Sequence, residues 1–339
     1  MKTGEQKKKI KRRKRRIRRI WSGSRKLEKK GKRGMGKKKG SLVNYLKQHY
    51  LLYLMLVLPL TFFIIFSYVP MSGLVISFQN YNIKKGIFGS EWVGFDIFKA
   101  LFKTSKFWRA VRNTITLNVL GLLLGFPMPI IIALLLNEFG DGIIKKVVQS
   151  VVILPHFVSW VVVGGIAIQI FATEGGIINS FLGNMGLSKI PFLSEKLPWI
   201  FTYQFIGIWK GAGWDSIIYL AAIAGVDQEQ YDAARVDGCS RFQMMYKITL
   251  PNIMPTVVLL LILRIGGIAS IGFDQPYMLG NTMVTSVSEV LSTYTYELGI
   301  VQGKLNYATA TGFFQSLVNF VLVMTANKVS DKLSGNALW

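Results

Sequence analysis

Apolar residues in this chain fall in six runs separated by polar intervals, at about 50–78, 113–137, 147–171, 199–224, 255–274 and 305–327. Several runs exceed the ~18 apolar residues a helix needs to cross a bilayer. The pattern predicts an all-α polytopic membrane protein with six transmembrane helices, its membrane domain spanning 50–327. The first run begins near Tyr50 and is longer than the roughly 7–15-residue core of a cleaved leader, so it is expected to stay in the membrane as a signal anchor.

Composition agrees: of 339 residues 51% are hydrophobic, with a mean hydropathy of +0.37. The net charge of +24 would suggest a nucleic-acid partner if it were spread evenly. It is not. Residues 1–50 hold 22 Lys/Arg against Glu5 and Glu28, a net +20, and the remainder holds 19 Lys/Arg against 15 acids, a net +4. A basic tail over 1–40, expected to be disordered, precedes a nearly neutral body, and no nucleic-acid partner is expected. Basic flanks stay cytoplasmic, and six crossings return the short C-terminus, 328–339, to the same side. The interval 225–254 is then cytoplasmic. One external loop runs against the charge rule: 79–112 carries Lys84, Lys85, Lys99, Lys103, Lys106, Arg109 and Arg112. Part of it is expected to be an amphipathic helix lying on the membrane.

Candidate chemistry is sparse. Cys239 is the only cysteine, which excludes an internal disulfide and a cysteine metal site. His49 and His156 lie far apart and lack ligand spacing, so no metal is expected. A phosphate-binding loop would need Ser or Thr after Gly31, Gly36 and Lys37, where Lys38 stands instead. No catalytic serine or zinc-protease motif is present. An enzyme is not expected.

The polar interval carries a recognisable order: Glu229, Tyr231, Asp232, Ala233, Ala234, Arg235, Asp237, Gly238, Cys239, then Phe242, Ile248, Leu250, Pro251 and Pro255. It resembles the EAA loop of permease subunits in binding-protein-dependent ABC importers of the type I, maltose-like superfamily. Asp232 replaces the usual Glu and Cys239 the usual Ala. Further segments resemble the complex-sugar and polysaccharide permeases of that group: Trp209 to Trp214, Ile218 to Ala222, Phe273 to Tyr277, Thr293 to Tyr296, Tyr307 to Gly312, Asn327 and Leu338-Trp339. The resemblance implies a type I importer permease fold in the bacterial cytoplasmic membrane and a carbohydrate cargo, an oligosaccharide or polysaccharide fragment. It implies as partners a second homologous permease, two ATPase subunits or domains holding ATP and Mg, and an extracellular or periplasmic sugar-binding protein. The chain itself is expected to bind no cofactor.

Within the interval, 229–236 can form a short helix with a thin face at Ala233 and Ala234, and Gly238 supplies a position of free φ for a sharp turn. A second helix over 240–249 is expected to stop at Pro251, with Pro255 opening the fifth span. The resemblance implies that the ATPase-coupling residues are Glu229, Tyr231, Asp232, Ala233, Ala234, Asp237, Gly238, Phe242 and Pro251. Aromatic faces stack on sugar rings and amides bond hydroxyls, so candidates for the substrate path are Trp160, Gln169, Tyr203, Trp209, Trp214, Tyr277, Gln315 and Asn319. Charges inside spans are costly unless paired or facing a cavity. Asp215 and Arg264, each ~13–15 Å deep from the ends of their spans, are expected to form an intramembrane ion pair, with Lys210 as the competing partner. An ion-coupled secondary transporter is the alternative; it predicts internal repeats and leaves the coupling segment unexplained.

Overall fold

The computed structural model describes Tyr45, residues 49–140 and residues 142–334, with side chains to residue 330. The basic tail 1–40 and Leu338-Trp339 lie outside these residues. The chain divides into two compact units, the first ending at Pro70.

In the first unit, α1 (Tyr50–Phe63) runs into a π turn at Ile64–Tyr68. Ring contacts bridge the turn, Phe62 to Phe66 at 4.7 Å and Phe63 to Tyr68 at 5.5 Å.

The second unit opens with a tight helical segment, Ser72–Phe78, and a minimal ribbon in which β1 (Gln79–Asn80) pairs antiparallel with β2 (Glu91–Trp92). Next comes α2 (Asp96–Lys103). Ile97, Phe98 and Leu101 share one face of it through three- and four-residue spacing, and that face is buried against Leu291, Tyr294, Leu298 and Ala310. The amphipathic helix expected on the membrane surface exists, but its apolar face is buried in protein. α3 (Ser105–Leu120) passes through a π turn, Gly121–Gly125, into α4 (Pro127–Glu138).

The third expected crossing is not one helix. α5 (Ile143–Ile153) continues as a short 3-10 turn to Phe157, and α6 (Trp160–Phe171) leaves at a bend of 102°. Pro155 has no amide hydrogen to continue the ladder, and the Ser159 side chain accepts from Val162 N to start a new helix. After α7 (Ile177–Asn184), the 29-residue α8 (Lys196–Ala224) packs along α4. At Gly213 it approaches α5 so closely that a Cβ would lie 2.0 Å from Val152 O.

α9 (Gln228–Val236), α10 (Arg241–Met244) and α11 (Leu250–Gly266) follow, the last two joined by a π turn at Met245–Thr249. The prolines do not stop the helix as expected. The wider π turn loosens the ladder just ahead of Pro251, so the helical run Arg241–Gly266 is continuous. It ends at Gly266, short of the expected 274, and Arg264 sits in its last turn, where a cation complements the helix dipole. α12 (Asp274–Leu279), α13 (Leu291–Tyr296) and α14 (Leu305–Ser334) complete the unit, with α14 packed along α11.

Among the described residues, four helical runs are long and apolar enough to span a bilayer: Tyr50–Phe78, Ser105–Glu138, Arg241–Gly266 and Leu305–Ser330. The bent α5–α6 pair makes a fifth if counted as one crossing. α8 is long enough, but Lys210 and Asp215 among its glycines dilute its apolar character. A core centred on Trp199 joins α3, α6 and α8 to the 279–290 segment, with Trp199 Nε1 donating to Leu279 O at 2.7 Å. Another, containing Ala133, Leu134, Tyr219, Ile223, Ile253 and Val257, ties α4, α8 and α11 together.

Candidate functional site

The segment after α8 is built almost entirely by local rules. Asp227 caps α9, its carboxylate accepting Glu229 N at 3.0 Å. α9 ends in a Schellman turn: Cys239 N donates to Ala234 O at 2.9 Å, Gly238 N donates to Arg235 O at 3.1 Å, and Gly238 takes φ +76°. Ser240 and Gln243 then form a reciprocal capping box that starts α10. Two contacts pin α9 onto the base of α11: the Tyr231 hydroxyl lies 2.9 Å from Thr249 Oγ1, and Asn252 Nδ2 donates to Gln230 Oε1 at 2.9 Å. Ala234 is buried, while Glu229, Asp232, Ala233 and Asp237 face outward. Asp232 pairs with Arg235 at 2.8 Å in an exposed contact, which contributes little stability. Val236, Phe242 and Tyr246 are 87%, 72% and 65% exposed, and Pro251 occupies the first turn of α11.

Further along α8 lies a cavity of about 450 Å³ walled by α3, the Gly121–Gly125 turn, α8 and the chain from Leu263 to Gln275. Gly121, Gly125 and Gly207 let Gln204, Ile208 and Gln275 pack closely in this wall, and Gly211 faces open space. Polar groups around it are held by directed bonds. Asn118 Nδ2 donates to Ile268 O at 2.7 Å, Gln204 Nε2 to Leu117 O at 2.7 Å and Gln275 Nε2 to Tyr203 O at 2.9 Å. The Ser270 hydroxyl accepts from Gln315 Nε2 at 2.8 Å and from Asn319 Nδ2 at 2.6 Å.

The candidate path residues separate into groups. Tyr203 lines the cavity, and Gln315 and Asn319 reach its wall through Ser270. Trp160 and Trp214 gather instead at the α5–α6 bend, where Trp214 stacks on His156 at 4.4 Å and Lys210 Nζ lies 5.4 Å from the centroid of the Trp160 ring. Tyr277 belongs to an aromatic cluster with Phe273 and Tyr296. Gln169 and Trp209 are exposed and line none of the cavity. Asp215 and Arg264 both line the cavity, and no ion pair within 4.0 Å joins them among the described residues. Lys210 takes neither carboxylate nor cavity: it is buried and donates to His156 O at 2.6 Å, with Pro155 O at 3.4 Å. Pro155 O also accepts from Val158 N at 3.2 Å, so it is His156 O, at the helix break, whose hydrogen bond Lys210 supplies.

Comparison with known proteins places this geometry. Residues 125–334 match the family described as binding-protein-dependent transport system inner membrane component. The chain belongs to this family of permease subunits. Among relatives, protein LplB of Bacillus subtilis is 43% identical over 294 residues, covering 87% of this chain and 92% of LplB. The polygalacturonan/rhamnogalacturonan transport system permease protein YteP of the same organism is 42% identical, covering 89% of this chain and 94% of its own. A solved bacterial ABC transporter involved in the import of the acidic polysaccharide alginate contains a chain 40% identical to this one, with TM-score 0.79, covering 86% of this chain and 99% of that one. The fold is thus the all-α polytopic permease fold. The chain is the permease subunit of an ABC importer, and ATP hydrolysis belongs to a separate component.

Several wall residues of this permease were missed in the sequence. Asn118 and Gln204 carried a signal, since each is an amide inside an apolar run, the same feature that singled out Gln315 and Asn319. The four glycines carried a weaker one in their four-residue spacing. Ser270 lies where the fifth span was expected and a loop is found, and Gln275 lies just past the end of that span, in α12.

Proposed function

We propose that this permease forms half of the membrane pathway of an ATP-driven importer for a carbohydrate, an oligosaccharide or polysaccharide fragment. In this reading the spans of 50–327 make six crossings, counting the bent α5–α6 pair and α8, with both termini in the cytoplasm. The interval 225–255 is the coupling segment, seated on an ATPase subunit that binds ATP and Mg. A second permease closes the pathway, and a binding protein outside delivers the sugar. ATP binding favours the outward-facing state through its differential affinity for the two states, the only way a ligand can shift such an equilibrium. The polar wall of the cavity suits sugar hydroxyls, and the relatives named for rhamnogalacturonan and alginate transport support this cargo.

One observation carries the proposal: a rigidly capped segment, polar in sequence, presents Val236, Phe242 and Tyr246 uncovered. Exposed apolar groups clustered on such a segment mark a docking surface. Cys239, the only cysteine, lies in the same turn and is partly exposed, so the native chain carries its own probe. An impermeant maleimide should label Cys239 in inverted vesicles and not in intact cells, and a thiol-directed cross-linker should join it to the ATPase. Labelling of intact cells, or no cross-link in an active complex, would refute the assignment.

A further inference from the structure

A second, smaller cavity of about 310 Å³ lies against the first. Leu117 belongs to both walls. Along α3 the lining passes from Arg112, Asn113 and Thr116 to Asn118 and Gly121; along α8 it passes from Lys196 and Ile200 to Tyr203 and Gly207. At 1.5 Å per residue, Ile200 and Gly207 are about 10 Å apart along the helix axis. The two cavities therefore follow one seam between α3 and α8. On the topology proposed above, the smaller one is the outer entry to the pathway.

Its charge is one-sided. Arg112 and Lys196 line it, and no carboxylate does. Arg112 is held by neutral partners, donating to Ser286 O at 3.1 Å and Asn113 Oδ1 at 3.3 Å. These bonds orient its guanidinium without neutralising it, whereas Arg109, one turn away, is paired with Glu289. Lys196 has no ion-pair partner among the described residues. Ser286, also in the wall, has a buried hydroxyl with no hydrogen-bond partner among the described residues, a cost seldom left standing in a native structure. The surrounding loop is also the one that breaks the charge rule: 79–112 carries seven Lys/Arg against Glu91 and Asp96. A field of one sign at the mouth of a cleft raises the local concentration of oppositely charged ligands.

We infer that Arg112 and Lys196 form a carboxylate-binding station at the outer entry of the pathway, and that the cargo is an acidic sugar, a uronic-acid oligosaccharide. The fork of Arg112 takes the carboxylate, Lys196 adds a second charge, and Thr116, exposed in the same wall, is the polar side chain open to ring hydroxyls, Asn113 being already bonded to Ser286 O, Glu289 O and Arg112. Bidentate arginine suits a planar carboxylate, and because Arg112 and Lys196 are both exposed the attraction weakens as salt is added. This inference rests on the proposed carbohydrate importer and deepens it.

The test uses the complete transporter in liposomes, with its second permease, ATPase and binding protein. The probes are trisaccharides of uronic acids, their methyl esters, which keep the rings and lose the charge, and neutral trisaccharides. ATP turnover is measured with loaded binding protein, and the affinity of the binding protein for the liposomes is measured separately. Arg112→Gln with Lys196→Gln should reduce turnover on the acid by about tenfold or more, as expected for losing charge-assisted hydrogen bonds. Docking of the binding protein should be unchanged, and any turnover on esters should move less than about twofold. Arg112→Lys with Lys196→Arg keeps the charge and should restore most of the loss, which separates binding from folding. Unchanged turnover on the acid overturns the station. So does an equal loss of docking, which would make the pair a contact for the binding protein. A transporter driven only by neutral sugars overturns this inference and leaves the carbohydrate importer standing. A transporter driven by no sugar overturns both.

Discussion

Substitution of Gly238 by valine isolates the coupling turn. Gly238 holds φ at +76° between two hydrogen bonds that close α9. A Cβ there meets no atom within 4 Å, so any penalty comes from the backbone and not from crowding. An L-residue in this region costs ~1–2 kcal/mol, and a β-branched one falls at the upper end. If the chain abandons the turn instead, it loses two bonds worth about 0.5–1.5 kcal/mol each. By either route the turn is weakened by ~1–3 kcal/mol. A loss of one to two kcal/mol already shifts the ratio of formed to unformed turn by about 5–30-fold. Asparagine tolerates the left-handed region best among non-glycine residues, so the order of damage should be Asn, then Ala, then Val. The assay is the affinity of the permease for its ATPase, with uptake measured in parallel and membrane insertion as the control. Affinity should fall by up to the factor above while insertion holds. Wild-type affinity in Gly238→Val would refute the reasoning. So would Gly238→Asn behaving as badly as valine, since backbone conformation would then not be the cause.

Three further outcomes are expected. Tyr231→Phe and Thr249→Val should each weaken coupling by the ~0.5–1.5 kcal/mol of one hydrogen bond, and the double variant should be no worse than either single one; additive losses in a double-mutant cycle would show that the 2.9 Å contact is not the cause. Gly211→Phe should leave assembly intact and abolish uptake, because Gly211 lines the central cavity and a Cβ there meets nothing within 4 Å; normal uptake would remove this cavity from the pathway. Asp215→Ala should impair assembly, and Asp215→Arg with Arg264→Asp should partly restore it if the two charges act on each other across the cavity; a cycle without coupling energy would leave Arg264 as a lining residue alone.

The basic tail, expected to be disordered, lies outside the described residues. Elsewhere, what the sequence by itself determined was local or cumulative. Hydropathy summed over twenty residues located the apolar runs, because bilayer thickness imposes a length on them. The segment around α9 obeys local rules, since capping by Asp227, the turn at Gly238 and the box of Ser240 with Gln243 depend on neighbours within five positions, and of these the turn at Gly238 was expected from the sequence. Tertiary structure decided what depends on partners distant in sequence. The cavity draws on residues from Leu117 to Gln275. Gly207 lies in its wall against Gln275, and an absent side chain acquires meaning only from what faces it. The apolar face of α2 could have met lipid or protein equally well, and its packing against Leu291 and Ala310 chose protein. Lys210 makes the point most plainly. Its charge called for a partner, and among side chains Asp215 was the candidate in view. The partners are backbone carbonyls of His156 and, at a longer distance, Pro155, presented at a helix break more than fifty residues away. Every residue carries a carbonyl, so sequence marks none of them as the acceptor; only the fold brings one within reach.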